Sequence, residues 1–126
     1  EVPNQVVNEL SQISNLFIFP TIAEVSSNVE LESSMAKQLL VLNSDLPSLF
    51  DFVDKEAVLS YPFTCRLGLH YGGRDNDSWD ELAKKIVKEI MSNKADRQFR
   101  WVWRHNNMET IYFEMLAPIL YEQVKK

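Results

Sequence analysis

Two glutamates, Glu24 and Glu32, stand eight positions apart where a short apolar segment gives way to a polar loop and a helix. A carboxylate can accept hydrogen bonds from two neighbouring hydroxyl groups, and it can also stabilise positive charge that develops in a transition state. Because such a spacing also arises by chance, the elements that position the two acids decide the interpretation.

The segment before the first acid predicts a strand, and the segment before the second predicts the start of a helix. Residues 16–19 read Leu-Phe-Ile-Phe, a continuous apolar run typical of a strand that is buried on both faces. Ser27 and Glu30 fit a capping box, with Ser27 as the N-cap residue and Glu30 reaching back to it. The carboxyl end of a strand beside a helix N-terminus is where α/β sheets bind nucleotides and phosphates.

The next elements continue the same alternation. We expect a helix over residues 28–37, with Met35 and Ala36 facing the core, and a second apolar strand over residues 39–43. Since a helix connects them, the two strands should be parallel. A short helical turn after Pro47 and a third strand over residues 57–61 complete this part.

Sequence patterns near both ends of the chain predict helices. Val6, Val7, Leu10 and Ile13 recur at helical spacing and should pack against the sheet, while Ser78 and Glu81 fit a second capping box. Further helices are predicted over residues 95–104 and 107–123. Asn107 should cap the last of these helices, and Pro118 should kink it.

Residues 64–77 contain Gly72-Gly73 and a run of polar residues, so they predict a loop. It is either a solvated connection or a functional loop, that is, a lid or a loop on the acceptor side of a site. On α/β patterning and a length of 126 residues, we expect one domain: a partial Rossmann-like parallel sheet of about three strands, flanking helices and a helical C-terminal third. The formal charge of −5 argues against a nucleic-acid binder.

The order of these elements resembles the C-terminal, donor-binding domain of retaining GT-B glycosyltransferases of the group 1, or family 4, type. That family carries two glutamates with seven residues between them, set between a strand of the form Leu-Phe-Val-Phe-Pro-Ser and a helix, with a further strand and an Asp-x-Pro turn beyond. Here residues 17–21 match the strand end, Glu24 and Glu32 match the acids, and residues 45–47 match the turn. The resemblance covers about residues 3–60 and continues more loosely to the C-terminus.

The resemblance implies a role for each residue of this segment. Glu24 would be the catalytic residue, orienting sugar hydroxyls or stabilising charge at the anomeric carbon, and Glu32 would bind the ribose hydroxyls. Ser26, Ser27 and Asn28 would face the diphosphate or the sugar. The donor would be a nucleotide-sugar, transferred with retention to a glycan, lipid or protein acceptor, and no metal is expected.

The same resemblance implies a cytoplasmic enzyme, associated at most peripherally with the inner face of a membrane. We interpret the chain as a fragment of the C-terminal domain, inactive alone, because the family's upstream basic residues and its N-terminal domain are not in it. The family loop after the first acid reads Gly-Phe-Gly, whereas residues 25–27 read Val-Ser-Ser. An alternative therefore stays open: a non-catalytic α/β module for interaction or assembly that kept the fold and lost the chemistry.

Two other groups of residues suggest weaker alternatives. His70 and His105 are far apart and lack further ligands at zinc spacing, which favours ordinary surface histidines. Arg97, Arg100 and Arg104 recur at helical spacing and form a small basic face. This face is either simply solvated or in contact with phosphate or an anionic membrane.

Overall fold

A computed structural model describes residues 3–24, 27–63 and 76–124. It has the predicted α/β class, with three parallel strands in the order β1-β2-β3 and helices around them. The strands are β1 (Leu16–Phe19), β2 (Leu39–Asn43) and β3 (Leu59–Tyr61). The helices are α1 (Asn4–Ile13), α2 (Asn28–Met35), α3 (Asn76–Glu89), α4 (Lys94–Asn106), α5 (Met108–Thr110) and α6 (Ala117–Val124).

The central strand holds the core together. All five residues of β2 are buried, as expected for a strand with a neighbour on each side. Its two faces belong to two different core clusters. On one face Leu40 and Leu42 pack with residues of the segment between β2 and β3, and on the other Val41 packs with Tyr61 and with Leu82 of α3. A short 3-10 helix, Pro47–Phe50, follows β2 where the sequence predicts a helical turn.

The first strand is less buried than its sequence predicts. Among the described residues β1 pairs with β2 alone, so it lies at the edge of the sheet, and Ile18 is 42% exposed. The expectation of a strand buried on both faces is wrong for the described part of the chain, because a continuous apolar run carries no information about which strands have a neighbour on each side.

The end of α2 corrects two predictions. The helix stops at Met35, two residues earlier than expected, and the Met35 side chain is 41% exposed instead of facing the core. Lys37 then takes a left-handed conformation, with φ of 57°. The amides of Lys37 and Gln38 donate to the carbonyls of Ser34 and Ser33, the pattern of a Schellman motif, in which glycine usually occupies the left-handed position.

The apolar face of α1 is uncovered within the described residues. We expected this face on the sheet, but none of its residues is buried and Ile13 is 82% exposed. The helix is instead linked to the sheet by polar contacts: Gln38 Nε2 donates to the carbonyl of Ser11, and the amide of Leu39 donates to the carbonyl of Asn15.

The C-terminal third is helical, as predicted. Ser78 lies inside α3 and not at its N-cap, because the helix already includes Asn76. Asn107 does cap the following helix, since its Oδ1 accepts a hydrogen bond from the amide of Thr110. Before Pro118 the chain widens into π-helical turns over Ile111–Leu116. This arrangement accommodates the hydrogen bond that proline, which has no amide N–H, cannot donate.

Within the described residues, none of the helices combines the length and the apolar character that crossing a bilayer requires.

Candidate functional site

One buried amide side chain ties together the carboxyl ends of all three strands. Asn43, the last residue of β2, is 2% exposed. Its Nδ2 donates to the carbonyl of Thr21, just after β1, across 2.9 Å. Its Oδ1 accepts from the amide of Asp45 at 3.1 Å and from the amide of Phe63, just after β3, at 3.0 Å. The edge of the sheet that the sequence marks as a binding edge is therefore fixed by Asn43.

Glu24 lies on the loop that leaves this edge and is half-buried. Ser48, in the 3-10 helix after β2, donates from Oγ to the main-chain carbonyl of Glu24 across 2.8 Å. Because the backbone of Glu24 is held by Ser48 and the preceding loop by Asn43, the carboxyl group is presented from an anchored main chain. This is the position the sequence assigns to the catalytic acid.

The start of α2 lies next to this loop. Ser27 is the N-cap residue as predicted, and it is 6% exposed, but its hydroxyl makes no capping hydrogen bond and Oγ has no partner among the described residues. Asn28 is the first helical residue and is exposed. Ser26, also predicted to face the donor, falls outside the described residues.

The structure gives Glu30 a place that sequence analysis missed. The sequence assigns it only a capping role, yet its side chain is buried under α2 at 1% exposure, and Oε1 has no partner among the described residues. Burial raises the pKa of Glu30 to about 7, and the negative charge of Glu24 contributes to the rise. Two carboxyl groups therefore lie close enough to influence each other at the carboxyl edge of the sheet.

Glu32 lies on a different side of the helix from Glu30. It is exposed, and no described residue forms a hydrogen bond or ion pair with its carboxylate. It shares its face with Asn28, one turn earlier, since residues four apart are neighbours on a helix surface. The acid that comes under the influence of Glu24 is thus Glu30, while Glu32 and Asn28 form a separate exposed pair at the start of α2.

The buried face of α2 is polar, which explains why hydrophobic periodicity did not reveal Glu30. Its three buried residues are Glu30, Ser33 and Ser34. Gln98 of α4 donates to Ser34 Oγ, which itself donates to the carbonyl of Glu30. Of the missed residues, Asn43 did leave a sequence signal, because it is the polar residue that ends the apolar run of residues 39–42. Ser48 left none, since it lies in the 3-10 helix beyond the strand.

These groups can do three things chemically. The exposed Glu32 carboxylate can accept two hydroxyl donors, and the free amides of the first turn of α2 can bind a polar ligand. A carboxyl group with the raised pKa of Glu30 is suited to holding or sharing a proton near neutral pH. Within the described residues no three histidine, cysteine, aspartate or glutamate side chains lie together as a metal site.

Comparison with known proteins yields no match to a protein-family model, to a curated protein or to a solved structure.

Proposed function

We propose that this chain is the donor-binding part of a retaining glycosyltransferase, which transfers a sugar from a nucleoside-diphosphate sugar to an acceptor. The observation that carries the proposal is the convergence at Asn43. This residue ties the loop that leads to Glu24 to the segments that follow β2 and β3, at the carboxyl edge of a parallel sheet. That edge is where α/β sheets take nucleotide ligands, at strand ends and helix N-termini.

In this proposal Glu32 binds the ribose of the nucleotide. Its carboxylate is exposed and unengaged within the described residues, so it can accept hydrogen bonds from the two ribose hydroxyls without first breaking another contact. Asn28, on the same face, supplies an amide for the same ligand. Ser27 and the first-turn amides of α2 would lie against the diphosphate or the sugar, and Ser26 would extend that surface.

Glu24 has the catalytic role in this proposal, because its main chain is fixed by Ser48 and its carboxyl is half-buried beside Glu30. A carboxylate at this place can orient sugar hydroxyls and stabilise the positive charge that develops as the leaving diphosphate departs. Acceptor binding and closure over the donor would require the N-terminal domain that this family resemblance implies. A cytoplasmic location, at most peripheral to a membrane, belongs to the same proposal.

The first test is a titration of the isotope-labelled chain with UDP, GDP and ADP, followed by backbone amide chemical shifts. We expect one nucleotide to shift signals of residues 21–32 in a saturable way. Glu32→Gln should weaken binding about tenfold, as loss of a charge-assisted contact to the ribose predicts.

The control for this test is Glu81→Gln, which removes one exposed glutamate from α3 and should leave the affinity unchanged. Equal binding by the wild type and the Glu32→Gln variant would exclude the ribose role. A folded chain that binds no nucleotide, even when extended upstream, would favour the alternative of a non-catalytic α/β interaction or assembly module.

A further inference from the structure

A polar cavity lies on α4, away from the carboxyl edge of the sheet. Its volume is about 200 Å³. We call it the α4 pocket, and its lining residues are Asp54, Arg97, Arg100, Trp101, Arg104 and His105. Asp54 belongs to the segment that enters β3, so the pocket lies nearer the amino end of that strand, whereas the candidate donor site lies beyond the carboxyl ends.

One arginine of the pocket is held rigidly. Arg97 donates from Nε and Nη2 to the two carboxylate oxygens of Asp54, and Nη2 also donates to Glu56 at 2.6 Å. These bonds raise the pKa of Arg97 further above its ordinary value. The charge of Asp54 is thereby balanced inside the pocket, and Nη1 of Arg97 takes no part in these bonds.

The other two arginines carry unbalanced charge. Arg100 and Arg104 are exposed, one turn apart on α4, and no described residue forms a hydrogen bond or ion pair with either. The local charge is positive, because the three arginines Arg97, Arg100 and Arg104 outnumber the two acids Asp54 and Glu56. The protein as a whole has a formal charge of −5. A basic pocket on an acidic protein favours anions at this one place.

An aromatic wall completes the pocket. The rings of Trp101 and His105 stack with their centroids 4.4 Å apart, and His105 Nδ1 donates to the carbonyl of Trp101 across 2.8 Å. This bond fixes the orientation of the imidazole. The pocket therefore combines a fixed ring pair, a fixed guanidinium and two unengaged guanidinium groups.

We propose that the α4 pocket binds a phosphate group that carries two negative charges, either free or as a monoester. Guanidinium groups match the tetrahedral oxygens of phosphate through paired N–H donors, and a doubly charged anion gains most from two unengaged arginines. The volume is below the range of about 300–1,000 Å³ that is usual for small-molecule pockets, so the pocket suits a phosphate head and not a whole nucleotide. The site is separate from the proposed donor site and does not depend on it.

Two sources could supply this group: free phosphate in solution or the headgroup of a phosphatidic-acid-type lipid. In the first arm, inorganic phosphate is titrated at constant ionic strength against chloride, while the arginine Nε–H and tryptophan indole signals are followed. In the second arm, the protein is sedimented with phosphatidylcholine vesicles, with and without phosphatidic acid. Saturable binding in either arm supports the proposal and identifies the source.

The variants assign binding to the pocket. The double variant Arg100→Gln with Arg104→Gln should weaken binding about tenfold, since two partly exposed charge contacts are lost. The affinity of the double variant Arg100→Lys with Arg104→Lys should lie between that of the glutamine variant and that of the wild type. The matched control, Lys84→Gln with Lys88→Gln, removes the same charge from α3 and should change affinity by less than about twofold.

Four results would overturn the proposal. The first three are no saturable binding in either arm, undiminished binding by the double glutamine variant, and an equal loss in the α3 control. The fourth is chemical-shift changes at residues 21–32 in place of α4. Because Arg100 and Arg104 are exposed and form no hydrogen bond or ion pair with described residues, the variants should keep the dispersed amide spectrum of the folded chain.

Discussion

Gln98 donates from Nε2 to the hydroxyl of Ser34 across 3.1 Å, although the two residues are 64 positions apart in the chain. Both side chains are buried, and Oε1 of Gln98 accepts from the amide of Asp54 at 2.9 Å. One amide group thus attaches α4 both to α2 and to the segment that enters β3. A polar side chain at the centre of a helix packing surface must form hydrogen bonds with the polar groups around it. Otherwise these groups and the side chain itself would be buried without a hydrogen bond.

Replacing Gln98 should therefore destabilise the fold. We expect Gln98→Ala to lower the free energy of unfolding by roughly 3 kcal/mol, because it creates a cavity and leaves the Asp54 amide unpaired. Urea denaturation followed by circular dichroism measures this change. Gln5→Ala is the control, since the exposed Gln5 side chain bonds, within the described residues, to the exposed Glu9 alone, and its effect should stay below about 0.5 kcal/mol. Similar losses in the two variants would contradict the structural role of Gln98.

Glu30 should make stability depend on pH between its two pKa values. Its pKa rises from 4.5 to about 7 on folding, so the native state holds the proton more tightly than the unfolded state does. The stabilisation is complete below the unfolded pKa of 4.5 and is lost as the pH rises towards 7. Between these limits the free energy of unfolding should fall by about 1.4 kcal/mol per pH unit from this group alone.

The measurement is the difference in unfolding free energy between wild type and Glu30→Gln, taken from pH 4 to pH 8. We expect the variant to gain stability relative to the wild type as the pH rises, because its side chain carries no charge to bury. A flat difference for Glu30→Gln would show that Glu30 ionises normally in the native state.

Asn43 should be essential for the carboxyl edge of the sheet. Asn43→Ala removes one donor and one acceptor that together serve three backbone groups, so we expect a loss of roughly 3 kcal/mol in the free energy of unfolding. Amide hydrogen exchange should report the loss locally, with faster exchange at Asp45 and Phe63, whose amides donate to Asn43. Asn93→Ala, at an exposed position where the side chain makes no capping bond, is the control. Unchanged exchange at the two amides would contradict the prediction.

Lys37 occupies a backbone conformation that favours glycine. We expect Lys37→Gly to be more stable than Lys37→Ala by about 1 kcal/mol. A residue with a Cβ atom has a higher conformational free energy than glycine at φ of 57°. Both variants lose the contact with Asp96 at 3.0 Å and the position over the Phe99 ring, so their difference isolates the backbone effect. At Lys88, inside α3, the same pair of variants should rank in the opposite order. Thermal unfolding distinguishes the two rankings.

The elements that the sequence predicts best are those whose partners lie close in the chain. The strand β2, the helix α4 and the cap at Asn107 follow from local pattern and local hydrogen bonding, and the structure confirms them. The burial of β1 and of the apolar face of α1 depends on which other elements pack against them, and no local pattern encodes that information.

The sequence predicts where the carboxyl edge of the sheet lies, but not which residues are buried beside it. A strand followed by the start of a helix indicates this edge, and Glu24 lies on the loop between the two. The burial of Glu30 did not follow, because the buried face of α2 consists of a carboxyl group and two serines while Met35 stays exposed. Hydrophobic periodicity identifies the inner face of a helix by its apolar residues, so it does not detect an inner face made of small and polar residues.

Along its outer side, β1 leaves the hydrogen-bonding groups of an apolar strand unpaired within the described residues. The strand itself, Leu16–Phe19, carries no charge, and no proline interrupts it before Pro20. Such an edge can template the addition of another extended chain, since nothing in the strand opposes it. Self-association through β1 should therefore increase with protein concentration, and a single lysine at Ile18, the exposed position, should keep the protein monodisperse at concentrations where the wild type assembles.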